Sequence, residues 1–128
     1  MFEPNFITLQ YPLSVNRYWT VSPGSHSITP TIAGRAWKQA ARALALSQGA
    51  QHQRIAAGPV AAEIVLLPRK NKDGAATAVR LDLDNCLKIA LDAMQGVLFT
   101  DDRQVVELQA RVGSTVADGA LMVRVRPA

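Results

Sequence analysis

With 128 residues, 48% of them hydrophobic, the chain is sized for one domain around one core and is neither disordered nor fibrous. A formal charge of +4 and a pI near 9.7 lean toward a polyanionic partner. A lone cysteine, Cys86, excludes an intrachain disulfide and reads as a small buried apolar residue, and no apolar run approaches the ~20 residues that cross a bilayer. The start, Met1-Phe2-Glu3-Pro4, has neither a basic region nor an apolar leader. The expectation is a cytoplasmic protein, a single domain over residues 1–128 with no membrane association.

Residues 6–11 read as a first strand ended by Pro12, followed by a loop to Pro30 rich in Ser, Pro, Asn and Gly. Thr31 is placed to cap a helix running to about Gln48, with Gly49 as its stop. Its apolar stripe is expected at Ile32, Ala36, Ala40, Ala43 and Leu44, and Arg35, Lys38 and Arg42 share another face. Val60 to Leu67 is a second strand between Gly58-Pro59 and Pro68, and Arg69 to Val79 a polar basic loop. A second helix is expected from about Asp84 to Gln95, with Leu87, Leu91, Met94 and Leu98 toward the core. Val105 to Val112 and Leu121 to Arg126 are the last strands, joined through a turn at Ala117-Asp118-Gly119 and expected to pair as an antiparallel hairpin. The sum is an α+β domain, a small mixed sheet of about four strands packed with two main helices.

The chemistry concentrates in Arg80-Leu81-Asp82-Leu83-Asp84-Asn85-Cys86-Leu87-Lys88 and in Asp101-Asp102. Asp82 and Asp84 are two apart, so in an extended segment they point to one side. Like charges at about 4 Å repel by roughly 4 kcal/mol at an effective dielectric near 20. A cation relieves that cost, and Mg²⁺ suits hard oxygen ligands while leaving positions for water and phosphate. Metal-assisted phosphodiester cleavage follows as the leading reading. Asp82, which lies before the helix beside Arg80, has no local explanation, but the other acids do. Asp84 would cap the helix, Lys88 would pair with Asp84 one turn away, and Asp92, four beyond Lys88, reads as that lysine's structural ion-pair partner. A helix of about 12 residues carries the chain roughly 18 Å from Asp84, so Asp102 joins the site only through a fold-back or a second subunit.

At these residues the chain resembles the RusA family of Holliday junction resolvases of bacteria and phages. The resemblance runs through Asp82-Leu83-Asp84-Asn85, Lys88, Asp92-Ala93, Asp101-Asp102 and Gln104-Val105-Val106, and more loosely through Pro12-Leu13-Ser14-Val15-Asn16-Arg17-Tyr18. Leu13 stands where the family's motif has a second proline, and Leu81 where some members carry arginine. What the resemblance implies is a Mg²⁺-dependent homodimeric endonuclease that nicks branched DNA, the Holliday junction, symmetrically in recombination and repair. Its carboxylates would be Asp82, Asp84 and Asp102, with Asp101 beside them as a further metal ligand and Lys88 as the catalytic lysine. DNA contact would fall to Arg17, Arg69, Lys70, Lys72, Arg80 and Arg103, with the Arg35, Lys38 and Arg42 face in reserve. His26 and His52 lie outside any metal-ligand spacing, and Trp19 and Trp37 read as packing residues. Two rivals compete: a Mg²⁺ nuclease for flaps or other branched DNA, and a non-catalytic DNA-binding protein whose acids are caps and ion pairs.

Overall fold

A computed structural model describes residues 5–70 and 83–128. In chain order the elements are β1 (Ile7–Leu9), α1 (Val15–Tyr18), β2 (Trp19–Val21), β3 (Ile28–Pro30), α2 (Ile32–Ser47), β4 (Val60–Leu67), α3 (Leu83–Met94), β5 (Val105–Val112) and β6 (Ala120–Pro127). Four strands form one mixed sheet in the order β1-β6-β4-β5, and β2 and β3 form a separate small hairpin. The α+β class, the four-stranded mixed sheet and the two main helices match the reading of the sequence.

β4 is the centre because its run Val60 to Leu67 is apolar at every position but Glu63, which pairs with Arg124 of β6, and both of its faces are largely buried. It pairs antiparallel with β6 and parallel with β5. This corrects the expected β5–β6 hairpin, since β4 lies between those two strands. The connecting residues 113–119 instead follow the end of β4: Gly113 N–H donates to Leu66 O, Val116 N–H to Pro68 O, and Lys70 N–H to Val116 O. Gly113 permits that crossing, because a Cβ there would stand 2.6 Å from Leu67 Cδ2.

Loop 12–30 was expected to be irregular but holds α1 and the β2–β3 hairpin. Strands of three residues set among Ser, Gly and Pro leave too short a pattern to read. Thr31 does cap α2: its Oγ1 accepts from Gly34 N–H at 2.9 Å and donates to Arg17 O at 2.5 Å. The expected apolar stripe of α2 is displaced. Gly34, Trp37, Ala41 and Ala45 are buried, whereas Ile32 is 86% exposed. The large Trp37 ring sets the inward face, and Gly34 lets Tyr18 O approach to 2.5 Å from where a Cβ would sit.

α3 buries Cys86, Ile89, Ala90, Ala93 and Met94, with Leu87 and Leu91 packed at the margin of the core. Its C-terminal end lies beside the start of β4, because Ile55 N–H donates to Leu98 O and the Gln104 side chain reaches Ile55 O and Gly58 O. α3 therefore runs antiparallel to β4 and β5. Asp84 stands at the carboxyl end of those strands, and Asp102 at their amino end.

Candidate active site

Asp84 occupies the first turn of α3, where the exposed N–H groups favour a negative charge. It is exposed, and its Oδ1 accepts only from Asn85 N–H, at 3.1 Å, among the described residues. Lys88, one turn on, is exposed too. The structure corrects the pairing expected for Asp92. Its Oδ2 accepts from Tyr18 Oη at 2.6 Å and from Lys38 Nζ at 3.3 Å, so Lys88 is not its partner. Tyr18 is fully buried, edge-on to Trp19 at 4.7 Å and to Trp37 at 6.1 Å. Burial, reinforced by the Asp92 carboxylate, pushes its phenol well above the usual tyrosine range. The Asn16-Arg17-Tyr18 and Asp92-Ala93 segments thus meet as a brace that fixes α3 to α1 and α2.

The basic face of α2 is spent on the same helix. Lys38 holds Asp92, and Arg42 Nη1 donates to Ala93 O at 3.1 Å and Gln95 O at 2.6 Å, capping the α3 C-terminus. Of the three reserve cations, Arg35 alone has no such duty among the described residues.

Asp101 and Asp102 divide their labour. Asp101 caps a 3-10 turn over Asp102–Gln104: its Oδ1 accepts from Arg103 N–H at 2.9 Å, and its Oδ2 pairs with Arg103 Nη2 at 3.0 Å. Hydrogen bonds from Arg103 hold the Asp101 carboxyl below the usual carboxylate range, and Asp101 in turn raises the guanidinium. Asp101 therefore has a local structural role, and in its pair with Arg103 the guanidinium is exposed while the carboxylate is partly so. Asp102 is exposed, and its N–H donates to Gln95 Oε1 at 3.1 Å, which fixes it at the C-terminal end of α3.

The sequence reading took Gln104 only as part of the family motif and missed what its side chain does. Its Oε1 accepts from Thr100 N–H and Asp101 N–H, both at 2.9 Å, while its Nε2 donates to Ile55 O and Gly58 O, both at 3.1 Å. All four bonds of one amide hold the turn that carries Asp102. The spacing Asp101-x-x-Gln104 is a capping-box signature and was legible as such.

From Asp84 to Gln95 the helix advances about 16 Å. Magnesium–oxygen bonds are about 2.1 Å, so Asp84 and Asp102 of one chain do not share an ion. Accordingly no group of three acidic, His or Cys side chains suited to a metal exists among the described residues. Asp82, together with Lys72 and Arg80, lies outside those residues. Of the remaining cations expected to meet DNA, Arg17 and Lys70 are exposed, and the Arg69 guanidinium sits 4.9 Å above the Tyr11 ring. Arg69 and Lys70 directly follow β4, at the end of the sheet where Asp84 stands.

No curated protein matches the chain. A family model does, that of the endodeoxyribonuclease RusA, and it aligns with residues 11–126. It takes in the Tyr18 to Asp92 brace, the α3 acids and the Asp101-Asp102 turn, and on that span the chain belongs to the RusA endodeoxyribonuclease family.

Proposed function

We propose that this protein is a Mg²⁺-dependent endonuclease that resolves four-way DNA junctions by paired symmetric nicks in recombination and repair, acting as a cytoplasmic homodimer. The observation that carries the reading is the family match across residues 11–126. The donors agree with it in kind. Asp84 and Asp102 are exposed hard-oxygen groups without an ion-pair partner among the described residues, the type of ligand magnesium takes. Their separation along α3 adds a condition: each site draws Asp82 and Asp84 from one subunit and Asp102 from the other. A C₂ dimer then carries two equivalent sites, one for each nick.

In this reading Asp82, Asp84 and Asp102 hold the cation, which when bound supplies activation of water and neutralisation of charge on the scissile phosphate. Lys88, one turn from Asp84, directs its ammonium toward the charge that develops on the phosphate and leaving oxygen. Arg17, Arg69, Lys70, Lys72 and Arg80 grip the backbone by charge, which positions the duplex arms without reading sequence. Arg103 joins them from its exposed pair with Asp101.

The test is a nicking assay on a synthetic mobile junction and on a flap of the same arm sequence, at one salt concentration, with and without Mg²⁺. The expected result is paired nicks in the junction that require the ion. Preferential cutting of the flap would assign the protein to other branched DNA, and shift of the junction without any cutting would make it a binding protein.

A further inference from the structure

Three segments far apart in the chain meet at the end of the sheet where Asp84 stands. Tyr11 follows β1, Arg69 follows β4, and Gly119 precedes β6. The backbone around them is tied down. Arg69 bridges Val116 in parallel, and Lys70 N–H donates to Val116 O at 3.1 Å and to Ala117 O at 3.3 Å. Tyr11 O accepts from Nε1 of the buried Trp37 at 2.8 Å, which fastens Tyr11 to the core. Gly119, at φ +69°, is the residue that lets the side chains close up. A Cβ there would stand 2.3 Å from Tyr11 Cδ1 and 2.9 Å from Arg69 Cβ. In the space so left, the Arg69 guanidinium lies 4.9 Å from the centre of the Tyr11 ring.

The other arginines held by a partner are spent differently. Arg124 also lies over a ring, that of Phe6 at 4.3 Å, but its Nη2 is taken by Glu63 at 2.8 Å. Arg103 and Arg126 are engaged by Asp101 and Glu107. Arg69 is exposed and has no carboxylate partner among the described residues. An aromatic ring steadies a guanidinium without consuming its five N–H donors, whereas a carboxylate occupies them and repels an incoming phosphate.

We propose that Tyr11 is a positioning residue for DNA binding: its ring holds Arg69 in place, before DNA arrives, to meet a backbone phosphate at the Asp84 end of the sheet. The inference rests on the reading of Arg69 as a DNA contact, and it names the residue that prepares that contact. The physical ground is rotamer freedom. A long exposed side chain loses it on binding, at a cost of about two- to tenfold in affinity, and a side chain already ordered does not incur that loss. The planar fork of arginine, once oriented, suits the oxygens of one phosphate.

The experiment uses the full chain and titrates a synthetic mobile junction without Mg²⁺ at several salt concentrations. Arg69→Ala is expected to weaken binding and to lower the log–log salt slope by about 0.9, the share of one phosphate. Tyr11→Leu is expected to raise the dissociation constant about two- to tenfold while keeping the parent slope, because the charge still reaches the phosphate but is ordered only on arrival. Tyr11→Phe keeps the ring and is expected to bind like the parent. In the Arg69→Ala background, Tyr11→Leu is expected to cost nothing more, since its effect passes through the arginine. A second measurement needs no variant at all. In the free protein, nitrogen relaxation is expected to find the Arg69 Nε–H more ordered than that of Arg35, which is exposed. Losses that add in the double variant, a parent-like Tyr11→Leu, or an Arg69 as mobile as Arg35 each overturn the positioning role and leave the DNA contact standing. A parent-like Arg69→Ala overturns the contact and the positioning role together.

Discussion

Asp92 and Tyr18 show how a motif residue comes to act through structure. The aspartate sits in the same helix as Asp84 and Lys88, but its carboxylate is consumed by a buried phenol and by Lys38. The sequence suggested a structural ion pair for Asp92 and erred only in the partner, since a contact with a residue far along the chain leaves no trace in helical spacing. The pair has a pH signature. The Tyr18 phenol is raised in the folded state, so both states are neutral and its contribution is intact below the unfolded value of about 10. Above it the unfolded chain releases a proton that the folded chain retains, and stability falls as pH rises further. Tyr18→Phe should flatten that alkaline loss in urea titrations between pH 9 and pH 11. At neutral pH it should cost about 1–3 kcal/mol, because Asp92 loses a buried donor. An alkaline slope equal to that of the parent would separate Tyr18 from the effect.

Elements were legible where local chemistry marks their ends. β4 and β5 lie where the sequence placed them, and α2 begins at Thr31 and stops before Gly49, because proline, glycine and a hydroxyl cap act within a few residues. What escaped was decided at longer range. The insertion of β4 between β5 and β6 depends on one central strand being largely buried on both faces, and the turn of α2 about its axis depends on where Trp37 fits. The turn between α3 and β5 belongs to the same class. Gln104 ties together Thr100, Asp101, Ile55 and Gly58, and no pairwise pattern announces all four. Gln104→Ala should lower stability by about 1–3 kcal/mol through the orphaned amides, read as a lower urea midpoint. It should also reduce nicking more than junction binding, because the backbone cations are untouched while Asp102 loses its anchorage. Equal losses in both would mean that the turn supports the fold alone.

At the scale of the whole molecule the acids pose a problem of symmetry that one subunit does not solve. The sequence named Asp84 and Asp102, and the length of α3 made their meeting within a chain conditional on a fold-back; the structure instead anchors Asp102 at the far end of the helix. Two inactive variants decide how they meet. Asp84→Asn and Asp102→Asn should each bind junction DNA and fail to nick it. If each site takes its acids from both subunits, co-expressing the two variants yields heterodimers in which one site has lost both carboxylates and the other retains both. With random assortment about half of the dimers are heterodimers, each with one intact site, so nicking should recover to about a quarter of the wild-type rate. The products should be singly nicked junctions in place of resolved duplexes, since the second site in every active dimer is dead. If each subunit keeps a complete site of its own, every site in the mixture lacks one carboxylate and the mixture stays as inactive as its components.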